Sequence, residues 1–240
     1  MSEVQKVPLF VEVIGEPSTG KTHLSSLFPK PALMDTTAKG EGYFILRKLY
    51  PDEWKKRYFR IREFGDFSKQ LKIVENQKAD FRTIVVDTSA DLRTLGGLAH
   101  LKELGGDRKR LMPEEWAPVN TDIDEFIYKI TNPEKMCMNL VFTSQMQDEW
   151  IDRKKTGRRI RKGNPGSNFQ ADIRLYLQLQ QKVDDKTMKY IDGKFVRTCQ
   201  VIKCRFRDQA NETEWVPELK DLSWAGIKGL TKLEVAEIVE

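Results

Sequence analysis

Long apolar runs are missing from this 240-residue sequence. None approaches the roughly 20 residues that a membrane span needs, so a helical membrane protein is excluded. Cysteine is scarce: Cys137, Cys199 and Cys204 are too few and too irregularly spaced for a disulfide frame or a zinc site. Cys199 and Cys204 lie an odd number of residues apart in a strand-like run, which points them to opposite faces. Histidine is limited to His23 and His100; neither has an evident partner, and both read as structural. The opening residues MSEVQKVPLF lack the apolar stretch and cleavage site of a signal peptide. Repeats and low-complexity tracts are absent. A reducing cellular interior is the expected compartment.

What is present suits one α/β domain, or one with a small appendage. Hydrophobic residues make up 39% and charged residues 32%, with a net charge of +5 and a pI near 9.0, which permits nucleic-acid binding without requiring it. Short β-branched runs predict strands at Leu9–Ile14, Ala32–Met34, Tyr58–Ile61, Thr83–Val86, Asn139–Thr143, Ile173–Gln180 and Thr198–Cys204. Helical patterns alternate with them at Lys21–Leu27, Phe67–Asn76 (with Asp66 as N-cap), Thr88–Leu104 and Pro113–Asn132. Such alternation marks a mostly parallel central sheet flanked by helices. After about Ile173 the strands follow one another without long helices, which predicts an antiparallel extension. Residues 1–208 read as the core and 209–240 as a small C-terminal appendage with one helix near Thr231–Val239.

Residues 15–22, Gly-Glu-Pro-Ser-Thr-Gly-Lys-Thr, match G-x-x-x-x-G-K-[ST] in full, with a strand before and a helix after. This P-loop predicts ATP held with Mg²⁺. Gly15 and Gly20 give the backbone its turn and its close approach. Pro17, Ser18 and Thr19 complete the loop, and the N–H groups of Ser18 to Thr22 form an anion nest. Lys21 neutralises the β- and γ-phosphates, and Thr22 ligates the metal. A second acid is expected at the end of a buried strand beside the first, and Asp87 closes Thr-Ile-Val-Val-Asp. Its two readings are metal-orienting carboxylate and N-cap of the next helix. Thr88, where an Asp-Glu pair would put Glu, argues against AAA+ proteins and many helicases. The lack of Asn-Lys-x-Asp argues against a GTPase.

With these motifs in place, the sequence resembles the RecA/RadA ATPase core, and in particular the short RecA-like proteins of phages that promote strand annealing or exchange. The resemblance spans roughly residues 6–208. It rests on the P-loop, on Thr-Ile-Val-Val-Asp-Thr-Ser-Ala-Asp-Leu (83–92), on Leu-Val-Phe-Thr-Ser-Gln (140–145) and on Val-Ile-Lys-Cys-Arg-Phe (201–206). It implies that Gln145 senses the γ-phosphate. It also implies that Lys203 and Arg205, on one strand face, reach a neighbour's ATP in a homo-oligomeric ring or filament. One departure stands out: Thr37 occupies the place of the family's catalytic Glu. Glu41, if its loop folds back, and Asp35 are the candidate bases, and slow hydrolysis is one consequence. The P-loop begins at residue 15, which leaves no evident polymerisation arm ahead of it. The expected location is the cytoplasm, or that of the host if a phage or virus encodes the chain.

Residues 153–162 hold seven cations in ten: Arg153, Lys154, Lys155, Arg158, Arg159, Arg161 and Lys162. Gly163-Asn164-Pro165-Gly166 follows, so the segment reads as a loop or hairpin. It starts just past Gln145, where the resemblance puts a DNA-binding loop, and predicts salt-dependent contact with single-stranded DNA. A solvated hairpin is the plainer reading. Trp150, Phe169 and Tyr176 are candidate stacking residues, and Asp107-Arg108-Lys109-Arg110 a candidate second loop. The alternative function is a regulatory or assembly ATPase with no DNA role.

Overall fold

A computed structural model of the chain describes residues 6–105, 108–151, 154–163, 166–183, 190–206, 222–230 and 239. In chain order its elements are β1 (Phe10–Gly15), α1 (Lys21–Ser25), β2 (Pro31–Asp35), α2 (Gly42–Leu49), α3 (Trp54–Arg57), β3 (Tyr58–Arg60), α4 (Phe64–Asn76), β4 (Thr83–Asp87) and α5 (Ser89–Leu104). A short 3₁₀ turn then leads into α6 (Trp116–Thr131), β5 (Asn139–Ile151), β6 (Lys154–Arg161), α7 (Ser167–Gln170), β7 (Ile173–Val183), β8 (Tyr190–Cys204) and α8 (Trp224–Gly229). The sheet order is β3-β2-β4-β5-β1-β7-β8, parallel from β3 through β7 and antiparallel at β7–β8, with β6 hung antiparallel on β5. This is the expected α/β core with an antiparallel extension. Among the described residues no helix is long and apolar enough to cross a membrane.

Burial follows the pleat. Phe10, Leu140, Phe142, Ile84 and Val86 face α4, α5 and α6, while Val11, Val13, Val85, Val141, Leu175 and Leu177 face α1, α2 and α8. Both faces of the central strands are therefore covered, which is why these runs are continuously apolar. In α5, a Cβ on Gly96 or Gly97 would come within 2.7 or 2.6 Å of Val119 or Trp116, so the glycine pair lets α5 and α6 approach closely. Helix α8 seats Ile227 in the core and sets Trp224 against Phe28, ring centroids 4.9 Å apart. The predicted helix at Thr231–Val239 falls almost wholly outside the described residues; Val239 itself hydrogen-bonds Val7 and Asn139.

Several sequence expectations need correction. The strand of Asp87, β4, does not neighbour the P-loop strand, because β5 lies between them. Asp66 is not the N-cap of α4; it sits in the first turn, where its carboxylate accepts from the backbone N–H groups of Arg62 and Glu63. Cys199 and Cys204 share a face: a bulge in β8 pairs Val201 with Leu175 and Lys203 with Arg174, skipping Ile202, and the skipped residue restores the parity. Strands β5 and β8 run well past their predicted ends. Their extra residues form two-stranded ribbons that show no regular alternation of apolar and polar residues.

One polar side chain is buried in the middle of the sheet. Glu12 of β1 is 0% exposed. Its Oε1 accepts from Arg161 Nη1 at 2.6 Å and from Ser144 Oγ at 2.8 Å, and its Oε2 accepts from Arg174 Nε at 3.0 Å. Arg161 Nη1 also donates to Ser167 Oγ, and Ser144 Oγ pairs with Ser89 Oγ at 2.9 Å. This network joins β1, β5, β6, α7, β7 and the start of α5. Removing the carboxylate alone leaves two guanidinium groups without their buried counter-charge. Glu12→Ala is expected to cost about 3–5 kcal/mol in urea unfolding, whereas Arg161→Ala, which leaves Arg174 on Glu12, costs visibly less.

Candidate nucleotide-binding site

The P-loop leaves the C-terminal edge of the sheet at Gly15, which is still paired in β1 with Gln145 on one side and Leu177 on the other. Gly15 is required by crowding and not by a turn, since a Cβ there would stand 2.6 Å from the Leu177 carbonyl oxygen and 2.8 Å from Thr19 Oγ1. Gly20 is required by conformation, with φ +97°. Ser18 also has positive φ, 66°. Thr19 Oγ1 donates to the Glu16 carbonyl at 2.9 Å and tightens the loop. Lys21 is folded back, its ammonium donating to the carbonyls of Gly15 (3.0 Å) and Glu16 (2.7 Å). Burial pushes its pKa down, and the nearby Asp87 and Glu16 pull it back up.

Asp87 meets the loop from across β5. Its Oδ2 accepts from Thr22 Oγ1 at 2.7 Å, and its Oδ1 accepts from Thr143 Oγ1 of β5. The N-cap reading falls, because Thr88 caps α5 and accepts from Asp91 N through its own hydroxyl. Asp87 is 5% exposed. A buried carboxylate beside a threonine hydroxyl is a hard-oxygen donor pair, which fits Mg²⁺. Among the described residues no cluster of three His, Cys, Asp or Glu side chains forms, so the other ligands of such a metal would be water and phosphate oxygens.

The two candidate bases fare differently. Asp35 ends β2 in register with Asp87 and is 0% exposed. Its Oδ1 accepts from Thr37 N, Thr37 Oγ1 and Arg60, and its Oδ2 from Gly42 N and Tyr58 OH. Asp35 therefore clamps the loop, and its lone pairs are not available to a water. The loop does fold back, through Gly42 N, but the Glu41 carboxylate is exposed, with Lys39 at 3.9 Å as its partner among the described residues.

Gln145 stands beside Gly15, and its carbonyl accepts from Lys162 N at 2.7 Å where the chain returns from β6. The basic segment is a strand, paired along the outer part of β5. Lys154, Arg158 and Lys162 are exposed. Lys155 pairs with Asp148 at 2.6 Å, and Arg158 lies 3.9 Å from Glu149. Arg159 pairs with Glu16 of the P-loop at 2.8 Å. Arg161, with 8% of its side chain exposed, is committed to Glu12 and does not belong among the DNA contacts. Arg153 and Asp107, and the side chains of Trp150 and Phe169, lie outside the described set. Arg108 pairs with Glu115 in a two-bond fork. Tyr176 is not on the basic hairpin. It lines a cleft of about 270 Å³ with Glu16, Pro17, Thr19 and residues 177–180, beside the P-loop.

Lys203 and Arg205 share a face as expected but lie away from this chain's P-loop. Lys203 is opposite Arg174, and Arg205 holds Asp172 at 2.8 Å, level with the start of β1. The β8 cation that does reach the loop is Arg197, whose Nε donates to the Thr19 carbonyl at 3.2 Å. No local signal marks it, because it stands in the part of β8 that lacks apolar–polar alternation. His23 is exposed; its pKa is pushed down by partial burial and by the nearby cations Arg197 and Lys48. His100 lies 3.4 Å from Glu103.

Residues 8–200 match a family model described as an AAA domain (AAA_24). A comparison with curated proteins returns no match. Among solved structures, a KaiC-like protein from the hyperthermophilic archaeon Pyrococcus horikoshii is similar, at 13% identity and a TM-score of 0.49 over 84% of this chain and 87% of that one.

Burial of Asp87 raises its pKa. The Thr143 and Thr22 hydroxyls oppose the rise, Asp35 adds to it, and Lys21 opposes it. A folded-state pKa above the unfolded 3.8 means that stability falls as pH rises through the raised value and stops changing below 3.8. Asp87→Asn is therefore expected to be more stable than wild type at neutral pH. Denaturation at a series of pH values should show that gap closing as pH falls, while the variant loses Mg²⁺-dependent ATP binding.

Proposed function

The chain belongs to the AAA domain family, and from that premise we propose that this P-loop ATPase domain acts on single-stranded DNA in recombination, annealing or repair, with DNA-coupled ATP hydrolysis. The observation that carries the reading is the continuity of β5. One strand holds Thr143 on Asp87, Ser144 on Glu12 and Gln145 beside Gly15, then runs outward to pair with the basic strand β6. Arg159 returns from β6 to Glu16 of the loop. A change at the phosphates and a change on the hairpin thus act on the same rigid element. By linkage, ATP that strengthens DNA binding is itself held more tightly when DNA is bound.

Lys21, now on the Gly15 and Glu16 carbonyls, would neutralise the β- and γ-phosphates, and Thr22 and Asp87 would hold Mg²⁺. The metal supplies charge neutralisation at the transferring phosphoryl group. Gln145 contacts the γ-phosphate or its water. With Asp35 consumed and Glu41 exposed, hydrolysis without DNA is slow, and Glu41 serves as base only after its loop moves. In a ring or filament, Lys203 and Arg205 would reach the adjacent subunit's nucleotide.

A regulatory or assembly ATPase with no DNA role is the second reading. It is favoured by the acidic partners Asp148, Glu149 and Glu16, which already neutralise part of the hairpin. The variants that separate the two are Lys154→Ala, Arg158→Ala and Lys162→Ala combined, since these side chains are exposed and removing them spares Arg161. Wild-type turnover is expected to rise with single-stranded DNA and to lose that rise as salt increases. The triple variant is expected to lower the slope of log affinity against log salt by roughly 2, at about 0.7 per phosphate contact. Unchanged turnover, with no DNA binding in the presence of a non-hydrolysable ATP analogue, leaves the regulatory reading standing.

A further inference from the structure

The P-loop strand has two flanks, and the strand residues assigned so far to this chain's own nucleotide lie on one of them. β5, with Gln145 and Thr143, and β4 beyond it, with Asp87, lie on one side of β1; β7 and β8 lie on the other. The metal-side and γ-phosphate groups therefore belong to the β5 flank. The β7–β8 flank carries the cleft lined by Tyr176 and residues 177–180, and it carries Arg197.

Arg197 is exposed. Its Nε bonds the Thr19 carbonyl, and a Cβ built on Gly20 would lie 3.1 Å from that nitrogen and 3.8 Å from Cζ. The guanidinium is thus laid along the backbone of the phosphate loop, close enough to His23 to bear on its titration. Its charge also has no carboxylate partner among the described residues. Arg57, Arg60, Arg108, Arg159, Arg161, Arg174 and Arg205 each sit on a carboxylate, but among the described residues Arg197 has none within ion-pair range. One nitrogen anchors it to the loop, and among the described residues its terminal nitrogens make no hydrogen bond. A planar cation held this way is suited to two-point bonding of phosphate oxygens.

Resting on the nucleotide reading above, we infer that Arg197 is a nucleotide-binding residue acting in cis, and that it contacts the α-phosphate end of a nucleoside di- or triphosphate. The molecule lies across the P-loop with its γ-phosphate toward Gln145 and Asp87 and its nucleoside toward the β7–β8 flank. Arg197 is then indifferent to the γ-phosphate, and ADP and ATP depend on it equally.

The test measures Kd for Mg²⁺·ATP and Mg²⁺·ADP on full-length wild type, Lys21→Ala, Arg197→Ala and Arg197→Lys, with thermal unfolding as a folding control. Arg197→Ala is expected to weaken ATP and ADP alike by about tenfold with an unchanged Tm, and Arg197→Lys to recover part of the loss. Equal affinity of Arg197→Ala and wild type for ADP overturns the assignment. A loss confined to ATP also overturns it, because the guanidinium would then face the γ-phosphate. Failure of the nucleotide reading itself looks different: wild type binds neither nucleotide, or Lys21→Ala binds as wild type does, and the inference falls with it.

Discussion

A single carboxylate buried between strands holds this architecture in register. Glu12 sits in the middle of the P-loop strand with no access to water, and it is tolerable there because two arginines and a serine hydroxyl occupy its lone pairs. The arginines come from different places: Arg174 from the antiparallel extension and Arg161 from the end of the basic hairpin. A neutral core residue at position 12 would leave those cations without a reason to converge. The ion cluster thus sets where the hairpin returns to the sheet, and that return delivers Lys162 N to the Gln145 carbonyl. Buried ion clusters add little net stability, but they penalise every arrangement in which a partner is missing.

The nucleotide site uses the same logic at its edge. Asp87 is desolvated and kept by hydroxyls, with Thr22 on one oxygen and Thr143 on the other. Burial disfavours the ionised form there, and the site gains a carboxylate already oriented toward the loop. Asp35, one strand further along, has the opposite fate: saturated by Thr37, Gly42, Tyr58 and Arg60, it serves the loop and not the chemistry. Two aspartates in register at adjacent strand ends differ in role because of how many donors surround each.

Much of this was legible in the residues. The P-loop announces itself, because its glycines, lysine and threonine are needed at fixed spacing by one ligand geometry. The buried strands announce themselves by continuous apolar runs. The outer halves of β5 and β8 did not, since a two-stranded ribbon in solvent needs no apolar period; Arg197 was hidden for that reason. The bulge at Ile202 was equally invisible, and it reversed the facing of Cys204. The basic run at 153–162 was found as charge, but charge density does not distinguish a cation in solvent from one like Arg161 that is spent inside the protein.

The sequence alone determined the local chemistry: a phosphate loop between a strand and a helix, an acid closing an apolar strand, and a cluster of cations after Gln145. Each depends on residues close together in the chain. The tertiary structure decided which of those residues meet. It placed β5 between the P-loop strand and the strand of Asp87, gave the cap of α5 to Thr88, committed Asp35 and Arg161 to internal hydrogen bonds and ion pairs, and brought Arg197 onto the loop. Strand order and long-range ion pairing arise from closing the sheet around one core, and no local spacing encodes them.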